Sequence, residues 1–264
     1  MDNRPIGVFD SGLGGLTVVN KIRKALPKEN IIYLGDTARV PYGTRSKEIV
    51  NKFAKEDLTF LLKNKVKCVV IACNTASAFA ASNLRQITSI PIFDVITAGS
   101  ADAVKSTING KIGIIGTRGT INSKSYIREI AKLNSKIITF QVACPLLVPL
   151  VEEGLINGNI LDSVVKKYLL MFKETGIDTL ILGCTHYPII RNSIKKTIGD
   201  KVIIIDPAEE LSKILKLYLT KNKMLGVGHG GLKIYVTDIT PSFKQVAEKF
   251  LGNKIDKPEK ISVG

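Results

Sequence analysis

Two cysteines close apolar runs in matching settings. Val69-Val70-Ile71-Ala72 leads into Cys73-Asn74-Thr75-Ala76-Ser77, and Leu180-Ile181-Leu182-Gly183 leads into Cys184-Thr185-His186-Tyr187-Pro188. Each run reads as a buried strand ending in a thiol, with hydrogen-bonding residues next. A free thiol has a pKa of about 8.5, so both of its protonation states are accessible near neutrality. Two thiols across one carbon can take a proton from one face and deliver a proton to the other. The carbon acid is far weaker than the thiol, so the site must also stabilise a carbanionic transition state. Asn74, Thr75, Thr185 and His186 are the donors placed to do so. Each thiol is expected just before a helix, whose first N–H groups favour a thiolate.

Other residues at strand ends join this set. Asp10 and Ser11 follow Ile6-Gly7-Val8-Phe9, and Thr117 follows Lys111-Ile112-Gly113-Ile114-Ile115-Gly116. In open parallel sheets ligands bind at the carboxyl ends of the strands. Asp10 suits either a turn cap or the seat of an ammonium group. His186, two residues from Cys184, suits proton traffic. Glu152 and Glu153 end the apolar stretch Pro145-Leu146-Leu147-Val148-Pro149-Leu150-Val151. Cys68 and Cys144 fit buried structural roles, and His229, in a glycine-rich stretch, is assigned none.

Several familiar chemistries are excluded. Asp10-Ser11-Gly12-Leu13-Gly14-Gly15-Leu16-Thr17 resembles a dinucleotide fingerprint but carries Thr17 where the third glycine belongs. No P-loop GK[ST] occurs. A thiol phosphatase needs an arginine at position 79 or 190, and these are Phe79 and Ile190. No residues have zinc-ligand spacing, and no lysine stands out as a Schiff-base former, so no metal and no cofactor are expected.

These residues need strands to carry them and helices to cover the strands. Apolar runs alternate with helical periodicity along the whole chain. Strands are expected at 6–9, 31–35, 67–72, 91–95, 111–116, 136–142, 178–183, 202–207 and 233–237. Helices are expected at 16–26, 46–64, 75–86, 123–133, 159–174, 188–197, 208–221 and 242–250, with Ser46 as an N-cap. Residues 36–46, 117–120 and 145–154 are read as loops or turns. Such alternation predicts an α/β protein with mostly parallel sheets and helices on both faces. The pattern also restarts. Gly7-Val8-Phe9-Asp10-Ser11 aligns with Gly113-Ile114-Ile115-Gly116-Thr117, Pro41 with Pro149, and Cys73 with Cys184, in one order and at steadily drifting offsets of 106, 108 and 111. Two doubly wound α/β domains related by a pseudo-twofold are expected, with the site in the cleft between them. Residues 1–96 with 207–264 form the first domain and residues 97–206 the second.

The bulk numbers fit this. A chain of 264 residues, 45% hydrophobic, has room for two cores. The net charge of +15 is spread along the chain, without a basic stripe alternating with aromatics. A lysine-rich surface that attracts a small dianion is expected, not a nucleic-acid partner. No apolar run reaches the ~18 residues of a membrane span. A strand begins almost at once, and the four cysteines lack CxxC spacing. The expectation is a cytoplasmic protein with neither leader nor disulfides.

Taken together, the segments 10–15, 35–43, 72–77, 144–152 and 183–188 resemble glutamate racemase, and the resemblance runs from about residue 5 to residue 250. It implies a cofactor-independent enzyme interconverting L- and D-glutamate, the D-isomer feeding bacterial peptidoglycan synthesis, and usually a homodimer. It implies that Cys73 takes the α-proton from D-glutamate and Cys184 from L-glutamate, assisted by Asp10, Glu152 and His186. It places the substrate against Asp10, Ser11, Pro41, Tyr42, Gly43, Asn74, Thr75, Thr117, Thr120, Thr185 and His186. Aspartate and hydantoin racemases would keep the thiols and differ in side-chain recognition. A non-catalytic binding protein would make the thiols dispensable.

Overall fold

A computed structural model describes residues 1–241 and 243–264. In the first half the elements are β1 (Ile6–Asp10), α1 (Leu16–Ala25), β2 (Ile31–Gly35), α2 (Lys47–Lys63), β3 (Cys68–Ile71), α3 (Asn74–Gln86), β4 (Ile92–Asp94) and α4 (Val95–Ser106). The second half holds β5 (Lys111–Gly116), α5 (Arg118–Asn122), α6 (Ser125–Leu133), β6 (Ile138–Ala143), α7 (Leu147–Glu152), α8 (Asn159–Leu169), β7 (Thr179–Gly183), α9 (Arg191–Ile198) and β8 (Ile203–Ile205). The chain then adds α10 (Pro207–Lys221), β9 (Leu232–Val236), α11 (Phe243–Leu251) and β10 (Glu259–Lys260). Ser242, expected to open the last helix, lies outside the described residues.

Two parallel sheets result, ordered β10-β9-β2-β1-β3-β4 and β6-β5-β7-β8. The order β2-β1-β3-β4 in the first is repeated as β6-β5-β7-β8 in the second, so the repeat seen in the residues is also a repeat of topology. β1, β2, β3 and β7 are buried along their whole length, as strands covered on both faces must be. Successive side chains alternate between layers. Val8 and Val70 pack with Val19, Leu215 and Phe250 on one face, while Phe9, Val69 and Ile71 pack with Leu58, Ala80 and Leu84 on the other. The first of these clusters continues through Ala98, Ala208 and Leu211 to Leu180 and Leu182 of the second sheet.

Three local expectations are corrected. Residues 95–106, left without a helix in the sequence reading, form α4. Its start is set by Asp94, which accepts from the N–H groups of Ile96 and Thr97, both at 2.9 Å. Gly99 faces Pro207 so closely that a Cβ there would lie 2.8 Å from the proline Cγ, which replaces an apolar stripe by a close approach of helices. Residues 145–154 are not all loop, because α7 forms around Pro149. This proline is the third helical residue, where a missing N–H costs no intrahelical bond. The stretch after Cys184 is a 3-10 turn, Tyr187–Ile190, and α9 begins only at Arg191.

Candidate active site

Cys73 ends the segment after β3 and is itself the N-cap of α3. Its sulfur accepts from the Ala76 N–H at 3.4 Å, and its thiol donates to Ser11 Oγ at 3.5 Å. Burial pushes this thiol up to about 12, and the neighbouring Asp10 carboxylate adds to that. The bonds to Ser11 and Ala76 oppose it without prevailing. The helix N-terminus therefore favours a thiolate, as expected, through the Ala76 N–H, but burial outweighs it.

Cys184 is held differently. The expectation that it too would precede a helix directly fails, because two residues and a 3-10 turn intervene. Its partner is His186, whose Nδ1 lies 3.7 Å from Sγ. The other ring nitrogen, Nε2, lies 3.1 Å from Glu152 Oε1, and Phe250 stacks edge-on against the ring at 5.2 Å. Burial alone would lower the His186 pKa, but Cys184 and Glu152 outweigh it and raise the ring to about 10. At neutral pH both ring N–H groups donate, one to the sulfur and one to the carboxylate.

Around the thiols the two halves meet in hydroxyls. Thr75 Oγ1 lies 2.9 Å from Thr117 Oγ1 and 3.3 Å from Thr120 Oγ1, and the last two are 3.1 Å apart. Thr117 is the N-cap of α5, accepting from the Thr120 N–H at 3.2 Å. Gly43 lies against Thr117 so tightly that a Cβ would come within 2.7 Å of its Cβ. Thr17, which broke the dinucleotide fingerprint, donates to Thr185 O at 3.0 Å and ties α1 to the Cys184 segment.

One cavity of about 290 Å³ collects these groups. Of the residues named from sequence, Ser11, Pro41, Tyr42, Gly43, Asn74, Thr75, Thr117, Glu152, Thr185 and His186 line it together with both thiols. Asp10 and Thr120 stand one layer behind. Asp10 is 1% exposed, accepts from the Gly12 N–H at 3.0 Å through Oδ2, and keeps Oδ1 unpartnered. Burial raises its pKa. Glu153 does not reach the cavity, nor do Cys68 and Cys144, which are fully buried.

The profile of the Asp/Glu/Hydantoin racemase family matches residues 6–214. The chain is 43% identical over 262 residues to a glutamate racemase of Geobacter metallireducens, covering 98% of this chain and 97% of that one. It is 46% identical over 258 residues to glutamate racemase 2 of Caldanaerobacter subterraneus, covering 97% of each. The chain belongs to the Asp/Glu/Hydantoin racemase family, among its glutamate racemases. Its fold superimposes on the crystal structure of glutamate racemase from Francisella tularensis in complex with D-glutamate, with a TM-score of 0.94 and 45% identity over 99% of this chain and 98% of that one.

For a racemase the site has two unlike sides. Cys73 meets a hydroxyl and a helix N–H, whereas Cys184 meets an imidazolium and, through it, a carboxylate. Residues to which the sequence assigned no role also contribute. Pro145, Val148 and Arg118 line the cavity. Tyr42 turns its hydroxyl away from it, donating between Asp36 and Asp57, the latter at 3.1 Å, so its backbone and ring form the wall. Asp36 is held in turn by Arg39 at 2.6 Å and Thr237 at 2.9 Å. No local pattern marks this cluster, because its members come from three separate segments.

Proposed function

We propose that this racemase interconverts L- and D-glutamate without a cofactor, using Cys73 and Cys184 as acid and base on opposite faces of the α-carbon. The observation that carries the reading is that both thiols line one small cavity, one from each half, each with its own hydrogen-bond partners. The relative from Francisella tularensis was solved with D-glutamate bound.

In the proposed reaction Cys184 removes the α-proton of L-glutamate while Cys73 delivers its own to the opposite face, and the reverse reaction exchanges the roles. The high pKa of Cys73 suits the proton-bearing state of this pair. Asn74, Thr75 and Thr117 offer donors to the substrate carboxylates, and Thr120 behind them holds the Thr75 and Thr117 hydroxyls. Asp10, one layer behind the cavity wall, acts on Cys73 through its neighbouring charge, and His186 with Glu152 assists Cys184. Arg118 at the rim and the basic surface favour entry of a dianion.

The D-isomer is proposed to feed peptidoglycan synthesis, from a cytoplasmic enzyme acting as a homodimer. Among the described residues no helix is long and apolar enough to cross a membrane. The proposed domains are residues 1–96 with 207–264, and 97–206. Sheet membership supports the return of the chain at 207, while the boundary at 96 falls inside α4.

The test is to incubate the purified protein with D-glutamate and no cofactor and follow optical rotation. Loss of rotation, abolished in Cys73→Ala and in Cys184→Ala, is the expected result. Conversion of aspartate but not glutamate would overturn the substrate, and activity in either alanine variant would overturn the mechanism. Sedimentation of the same sample tests the dimer.

A further inference from the structure

Tyr126 lies on α6, in the second half, and is 1% exposed. Its hydroxyl donates to Asn74 Oδ1 at 2.7 Å. Its ring packs against the end of β7, since a Cβ on Gly183 would come within 3.3 Å of its Cε2. Asn74 follows Cys73 in the chain, and Gly183 precedes Cys184. One side chain therefore touches the immediate neighbours of both thiols.

A buried hydroxyl must place its hydrogen on an acceptor or lose stability. Among the described residues, Asn74 Oδ1 is the acceptor Tyr126 has. That bond decides which end of the amide faces which way. The oxygen turns to Tyr126, and the nitrogen is left at the other end of the group. Asn74 lines the cavity, and its Nδ2 has no hydrogen-bond partner among the described residues. An asparagine without this tether can rotate its amide and present an oxygen, which repels a carboxylate instead of binding it.

We infer that Tyr126 is a positioning residue for racemisation: it locks the Asn74 amide with its N–H groups toward the substrate carboxylate, from the half that carries the other thiol. The inference rests on the glutamate-racemase reading given above. It also gives the cavity a physical link between its halves, because the donor beside Cys73 points correctly only when α6 is docked against it.

A four-member cycle tests this: wild type, Tyr126→Phe, Asn74→Ala and the double variant, each assayed for kcat/KM with D- and L-glutamate. Loss of one buried hydrogen bond is expected to lower kcat/KM about tenfold in Tyr126→Phe. In the Asn74→Ala background the same change is expected to cost less than about twofold, because its target is gone. An equal loss in both backgrounds overturns the positioning role while leaving the racemase reading intact. A wild-type protein that leaves glutamate unchanged overturns that reading, and this inference with it. If Tyr126→Phe does not fold, ¹⁵N spectra of the wild type decide. The Asn74 side-chain signals, identified by their loss in Asn74→Ala, are expected to shift on adding D-glutamate. Unshifted signals would overturn the inference.

Discussion

His186 presents Nδ1 to the sulfur of Cys184 at 3.7 Å, and the rest of that side of the site follows from this pair. A thiol whose neighbour is an imidazolium can lose its proton without creating an unpaired buried charge. Glu152 holds the other nitrogen and keeps the ring protonated.

Replacing Glu152 by glutamine removes one of the two groups that raise the His186 pKa to about 10. The alkaline limb of the kcat/KM profile is then expected to move to lower pH. Because a charge-assisted hydrogen bond is lost, kcat/KM at mildly alkaline pH is expected to fall about tenfold. An unchanged profile in Glu152→Gln would show that the carboxylate does not act through the ring.

The same raised pKa has a consequence for stability. A histidine that is more basic folded than unfolded stabilises the fold fully below its ordinary value of 6.5, and this contribution is lost as pH rises to about 10. Denaturant titrations between these limits are expected to show stability declining with pH in the wild type and declining less in His186→Asn. Equal slopes would contradict the assignment.

Gly14 borders the Cys184 side of the site. A Cβ there would lie 2.2 Å from Thr185 Oγ1 and 2.6 Å from His186 Nδ1. Gly14→Ala must displace both groups, and displacement of a catalytic group by about 1 Å costs roughly 100-fold in rate. The expected result is that kcat drops by about that factor in a protein that still folds, with stability lowered by about 1–3 kcal/mol from the overpacking. A large loss of stability with normal kcat would place the clash elsewhere.

Far from the cavity, Lys67 is a fully buried cation. Its ammonium donates to Glu29 at 2.5 Å and to the carbonyls of Asp2 and Met224, both at 2.8 Å. Lys67→Met strands the Glu29 carboxylate, and removal of one partner of a buried pair costs about 3–5 kcal/mol. Thermal melts of Lys67→Met and of the double variant with Glu29→Gln are expected to show a large loss and partial recovery.

Much of this was legible in the residues. Strands ending at Gly35 and Gly116 could be read to the residue, because continuous apolar runs stop at glycines. The pairing of Cys73 with Cys184 could be read because both close such runs. What escaped has physical reasons. α4 lacks a strong apolar stripe, because close helix contact, as at Gly99 against Pro207, does the work of bulk. Residues 145–154 read as a loop, yet α7 forms there, since a proline at the third position of a helix breaks nothing. The unlike settings of the two thiols depend on where α9 begins and on a histidine–carboxylate contact between α7 and the β7 end. Tyr126 carries no local mark, since its role exists only once α6 meets α3.

The two-thiol mechanism is tested most directly by the partition of deuterium during racemisation in heavy water. Starting from L-glutamate, two thiols on opposite faces predict that the D-glutamate first formed carries deuterium at the α-carbon while unreacted L-glutamate keeps its hydrogen. Deuterium entering recovered L-glutamate as fast as it enters D-glutamate would mean that one base serves both faces, and would contradict the two-thiol mechanism.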